Sequence, residues 1–465
     1  MHKRTLALLA ALGIAGTACK DSTGVPDLNN ISAETQLANG LTPTTLQLLA
    51  TGLVNASRSE LDGRYIVFTE TMARDFYRLD NAENRYVTEL IGKVSADYSA
   101  FTGGGAFTNM YVTIRTGNTI LNALPTATTL SAAEVSAVKG FVQTMKAVAY
   151  YRVLETRDTL GIAFDVNHLV NDPPAAFECK PNVLAQISVL LDSANTNLAA
   201  AGTASFPFSL PSGFNGFNTP ATFAKFNRGM KGKVELYRAL PQGNRTKATG
   251  TAGFNAAIAA INASFASPTA AMSLGLAYTY STSAGDLTNP LADANIYLNP
   301  FVGDSIQAGD LRKAKILTVT SKSLNSVTSK YKSTVTDPSG ALTMAIPILT
   351  NAELLLLRAQ AEIELGQFAA ATADINAVHQ ADGGFATGYP VFADNASAIK
   401  AVLYEKRYSL LGQSAQRLVD LRAYGLLNAA AGPGQSTGDI FQSVLPIPKG
   451  QFDTRNVTTI TPACP

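Results

Sequence analysis

Histidine is nearly missing from this 465-residue chain: only His2, His168 and His379 occur, and no spacing among them would share a metal ion. Tryptophan is absent, cysteine occurs three times, and charged residues make up only 15%. Those charges almost balance at a formal +2, so no broad positive field exists to hold a nucleic-acid backbone. There is no Gly-x-Ser-x-Gly elbow, P-loop or dinucleotide fingerprint, and nothing phosphate-like follows Gly103-Gly104-Gly105. No cofactor and no metal are therefore expected. Past the first residues no apolar run is long enough to span a bilayer as a helix.

The N-terminus does carry a short apolar run. His2, Lys3 and Arg4 precede Leu6 to Ala18, the layout of a secretory signal over residues 1–18. Cys19 follows at once, and Ile14-Ala15-Gly16-Thr17-Ala18-Cys19 resembles the lipobox of bacterial lipoproteins, whose cysteine is acylated. Each buried acyl methylene contributes roughly 0.8 kcal/mol, and several chains together hold a protein stably at a bilayer. Lys20-Asp21 resembles the short charged signal that sends some lipoproteins to the cell surface. Lipidation at Cys19 leaves Cys179 and Cys464 either as a disulfide in an oxidising compartment or as two unrelated thiols.

Helical periodicity dominates the remainder. Ser131 with Glu134 forms a capping-box pattern, and the helix it opens places Val135, Val138, Phe141, Val142, Met145, Val148, Ala149 and Val153 on one broad face. Similar faces run over 107–124, 182–198, 220–240 and 254–265. Residues 202–220 are rich in Gly, Pro, Ser and Phe and predict an irregular loop; about 268 to 340 predicts long loops with short strands. Helices resume over 351–365 and 367–380, joined by Gly366-Gln367. There Gly366, Phe368 and Ala371 have the spacing of a tetratricopeptide hairpin, with 396–412 and 414–424 as the next pair. The expected fold is mainly α: about four tetratricopeptide-like helix pairs with a large irregular, loop-rich region. Residues 19–465 are expected to form one mature domain, with two pairs in 19–340 and two more in 341–465.

Several segments, in order, resemble the SusD/RagB family. They include Tyr111 to Leu121 around Asn118; Lys139 to Arg152; Arg157-Asp158-Thr159-Leu160-Gly161; and Thr222 to Leu240. The C-terminal third is most specific. Asn351-Ala352-Glu353-Leu354 runs on to Arg358-Ala359-Gln360-Ala361-Glu362. Tyr404-Glu405-Lys406-Arg407-Tyr408 is followed by Gln416-Arg417-Leu418-Val419-Asp420-Leu421-Arg422, and Leu445-Pro446-Ile447-Pro448 closes the set. Leu418 stands where the family commonly has tryptophan. The resemblance implies a non-catalytic outer-membrane lipoprotein, anchored by lipid and exposed at the cell surface. Its implied partners are a SusC-like TonB-dependent receptor and an oligosaccharide or other nutrient.

Sugar recognition needs rings to cover C–H faces and charged or amide groups to satisfy hydroxyls. Two segments outside the repeat helices mix these groups. One holds Tyr77, Arg78, Asp80, Arg85 and Tyr86; the other holds Tyr278, Tyr280 and Tyr297 with Asn295 and Asn299. Two other functions are open to the sequence. A tetratricopeptide scaffold lipoprotein would bind only protein partners, and a glycoside hydrolase would use a pair of acids among Glu70, Asp75, Asp80, Glu83 and Glu89. Glu405, Arg407, Arg417, Asp420 and Arg422 read as a buried ion-pair network fixing helix packing, with a catalytic or anion-binding cluster as the sharper alternative.

Overall fold

Local capping explains where the helices begin. Thr42 accepts from the backbone of Thr45 at the start of α1 (Pro43–Ser59), and α2 (Tyr65–Met72) and the short α3 (Arg85–Thr88) follow. After α4 (Thr108–Ala123), Ser131 and Glu134 close a complete capping box on α5 (Ala132–Arg157). Next are α6 (Lys180–Ala200), α7 (Pro220–Ala239, capped by Thr219 with Pro220 in its first turn) and α8 (Thr251–Asn262). The short α9 (Pro300–Asp304) and α10 (Pro338–Ala341) lie in the irregular region. They are followed by α11 (Asn351–Glu364), α12 (Phe368–Ala381), α13 (Asn395–Ser409), α14 (Gln416–Ala423) and α15 (Lys449–Arg455).

This computed structural model describes residue 37 and residues 40–62, 64–99, 101–168, 171–240, 250–428 and 440–463. The signal segment 1–18, Cys19 and Cys464 lie outside the described residues. The fold is mainly α. The hairpins α4/α5, α6/α7, α11/α12 and α13/α14 stack into a tetratricopeptide-like array, with α1 against α4 and α8 bridging α7 to α11. Small residues let the helices approach: Ala359 is fully buried on α11, and Gly140 on α5 lies against Leu198 and Ala194 of α6. One hydrophobic core runs from Leu41 to Ile447. No described helix is long and apolar enough to cross a membrane.

Among the described residues eight strands form two-stranded antiparallel sheets around this array: β1 (Phe76–Arg78), β2 (Ile162–Ala163), β3 (Phe177–Glu178), β4 (Gly275–Tyr278), β5 (Ile296–Leu298), β6 (Ile316–Leu324), β7 (Val327–Ser333) and β8 (Ile346–Thr350). They pair as β1–β5, β2–β3, β4–β8 and β6–β7. The β6–β7 hairpin is longer than the short strands expected there. It turns on Asn325 and Ser326, both left-handed at φ 47° and 65°, the geometry whose twist suits a two-residue connection. The irregular 202–220 segment is not merely a surface loop, because Phe206, Phe208, Phe214 and Phe217 all insert into the core.

Candidate functional site

Pairing of β1 with β5 places Tyr77 opposite Tyr297 and Arg78 opposite Ile296. Alternation along a strand sends neighbours to opposite faces. Phe76 therefore joins the main core, while Tyr77 and Tyr297 enter a small second core with Leu79, Val87, Ile91 and Val327 beside the β6–β7 hairpin. The Tyr77 hydroxyl accepts from Asn299 Nδ2 at 2.9 Å, and the Lys332 ammonium lies 4.9 Å from the Tyr297 ring centre.

Arg78 emerges from the edge of that core. Its guanidinium lies 4.3 Å from the centre of the Tyr86 ring and donates to the Tyr86 hydroxyl at 2.6 Å. It also pairs with Asp293 at 2.8 Å and Asp80 at 3.3 Å. Nearby, Arg85 makes a two-point contact with Glu83, at 2.8 Å from Nε and 2.5 Å from Nη2, while stacking 4.4 Å from the Phe101 ring centre. Burial raises the Tyr86 hydroxyl pKa, so it remains a neutral donor and acceptor. The result is a ridge of half-buried cations and carboxylates over an aromatic base of Phe68, Tyr86 and Phe101.

The structure brings together Tyr77, Arg78, Asp80, Arg85, Tyr86 and Tyr297, but not Tyr278 and Tyr280. Tyr278 lies in the separate β4–β8 sheet, with its hydroxyl 2.5 Å from Ser57 Oγ, and Tyr280 lies under Arg58 at 5.6 Å. All five tyrosines are less than a tenth exposed. They are therefore core residues here rather than open stacking platforms, because their rings fill gaps between helices and irregular segments. The groups left accessible are Arg78, Asp80, Glu83, Arg85 and Asp293. Sequence reasoning did not select Asp293 for this site, because only long-range strand pairing sets it beside Arg78.

The acids of a hydrolase do not assemble. Glu70 and Asp75 are 3% and 1% exposed and share a void of about 10 Å³, too small for a sugar ring. Asp75 pairs with Arg407 at 2.5 Å, and Glu89 accepts from Thr102 at 2.9 Å. Burial and the Asp75 charge push the Glu70 pKa well above the carboxylate range. Among the described residues no group of acids, histidines and cysteines could hold a metal ion.

The C-terminal charged cluster forms a buried network with one exception. Glu405 pairs with Arg312 at 2.6 Å, Asp420 with Lys406 at 2.9 Å, and Arg422 lies 3.8 Å from Asp158. Arg417 makes no hydrogen bond or ion pair to a described residue, and its buried Nε has no partner. Sequence did not reveal a nearby cleft of about 700 Å³, lined by Phe301, Phe392, Leu403, Tyr404, Arg407 and Arg417.

No family model and no curated protein matches this chain. Solved structures do. NanU of Bacteroides fragilis superposes with a TM-score of 0.65 at 17% identity, covering 94% of this chain and 99% of that one. A SusD superfamily protein from Parabacteroides distasonis has a TM-score of 0.66 at 12% identity, covering 90% and 98%. Surface glycan-binding protein A from Bacteroides uniformis has a TM-score of 0.64 at 14% identity, covering 88% and 97%. This chain has the SusD-superfamily fold over nearly its whole length.

Proposed function

We propose that this chain is a non-catalytic binding protein that captures an oligosaccharide on the ridge around Arg78 and passes it to a SusC-like TonB-dependent receptor. The observation that supports it best is the ridge itself: Arg78, Asp80, Asp293, Arg85 and Glu83 present partly solvated donors and acceptors above a fixed aromatic base. Arginine and carboxylates in fixed geometry match vicinal hydroxyls, and exchange between their internal pairs and a sugar needs no covalent step. One solved structure with this fold is a surface glycan-binding protein, which agrees with the reading. An acylated Cys19 would anchor the protein to the outer membrane at the cell surface, beside the receptor.

Glycan-array screening of the detergent-solubilised full chain tests the reading. Saturable retention of an oligosaccharide is expected, and Arg78→Ala should weaken it by about tenfold, the scale of one lost charge-assisted contact. The reading is overturned if no glycan is retained or if Arg78→Ala binds as the parent does. Affinity capture should recover an outer-membrane barrel; recovery of soluble envelope proteins alone would favour a scaffold role.

A further inference from the structure

The cleft of about 700 Å³ lies between α9, the 385–392 loop and α13, apart from the Arg78 ridge. Phe301, Phe392, Leu403 and Tyr404 make its walls largely apolar, and Phe301 is 42% exposed there. Arg407 and Arg417 supply positive charge. The charge of Arg407 is already met: Asp75 lies 2.5 Å away and the Phe301 ring centre 4.9 Å away.

The surroundings of Arg417 are different. Asp75 is engaged by Arg407, and Asp420 by Lys406 at 2.9 Å and by the Tyr237 hydroxyl at 2.7 Å. The remaining carboxyl nearby is Glu70, whose pKa burial and the Asp75 charge raise against the pull of Arg417 and Arg407. Among the described residues Arg407 and Lys406 thus hold the direct ion pairs with Asp75 and Asp420, and Arg417 makes none. Burial, reinforced by Arg407, lowers its pKa against the pull of Asp75, Asp420 and Glu70. A carboxylate is the planar partner a guanidinium fits best.

We propose that this cleft binds a carboxylate carried on a flat, apolar-faced body, with Arg417 receiving the carboxylate and Phe301, Phe392 and Tyr404 enclosing the body. A uronic acid and an aromatic carboxylate share that chemistry. Calorimetric titration of the detergent-solubilised full chain with glucuronate, glucose, phenylacetate and phenethyl alcohol separates the two sources. One acid should bind saturably, and its neutral counterpart about tenfold more weakly. Arg417→Gln should lower the acid's affinity about tenfold while leaving the melting temperature close to that of the parent. The proposal is overturned if the neutral compound binds equally, if Arg417→Gln retains full affinity, or if neither acid binds at about 10 mM. Should Arg417→Gln fail to fold, Phe301→Ser at the exposed rim reads the same site: a loss of about tenfold supports the proposal, and unchanged affinity overturns it. No residue of the Arg78 ridge lines this cleft, so Arg78→Ala should leave acid binding unchanged.

Discussion

Glu362 on α11 has one carboxylate oxygen buried without a partner, while its neighbour Arg358 is taken by Asp374 at 2.6 Å on α12. Burial first, then repulsion from Asp374, raises the Glu362 pKa from 4.5 to about 7, against the pull of Arg358. The folded protein therefore binds a proton that the unfolded chain has released. The stabilisation is fully present below pH 4.5 and fades as pH rises through about 7. Urea unfolding from pH 4.5 to 8 should show about 1–2 kcal/mol lost through this group, a figure reduced for solvent screening. Glu362→Gln should remove that portion of the slope; an identical slope in the variant would refute the assignment. At this scale sequence indicated residue types well and exposure poorly. Tyr77 and Tyr278 have the composition of a sugar platform, yet neighbours remote in sequence bury both rings.

Helices were legible because their signals are local. Caps such as Ser131–Glu134, the face from Val135 to Val153, and the break at Gly366, whose φ is +71°, lie within a few residues of what they control. Strand pairings were not, since β1 meets β5 across more than two hundred residues. Helix contact also depends on small residues whose purpose appears only in the packed array. A Cβ at Gly140 would fall 2.5 Å from Leu198 Cγ and 2.9 Å from the Ala194 carbonyl oxygen, so α5 and α6 would have to separate. Gly140→Ala should therefore destabilise by about 1–2 kcal/mol, the overpacking cost less the gain in helix propensity. Chemical denaturation measures this directly; unchanged stability would show that the two helices yield without cost.

Across the whole molecule, the C-terminal segment returns to the body. Leu445 N donates to Thr156 O at 2.8 Å, and Lys449 N donates to Tyr98 O at 2.9 Å. Ala463 is then held at both ends, donating to Phe177 O at 2.8 Å and accepting from Cys179 N at 3.0 Å. Among the described residues the buried Cys179 has no disulfide partner, and Cys464 lies beyond them. We propose that the two are bridged under oxidising conditions, since Ala463 precedes Cys464 directly and hydrogen-bonds to Cys179. Peptide mapping without reductant should find the linked pair, and Cys464→Ser should lower stability by up to about 5 kcal/mol in the chain-entropy limit. Two free thiols in the air-oxidised protein would refute it.

By itself, the sequence determined the mainly helical repeat array, the signal-like N-terminus and the absence of familiar catalytic motifs, because each depends on local pattern or composition. Tertiary structure decided which tyrosines are core, which acid lies beside Arg78, and which arginine of the C-terminal cluster makes no direct ion pair among the described residues. Those outcomes depend on contacts between residues far apart in the chain, and a buried charge is satisfied or stranded only by what the completed fold places around it.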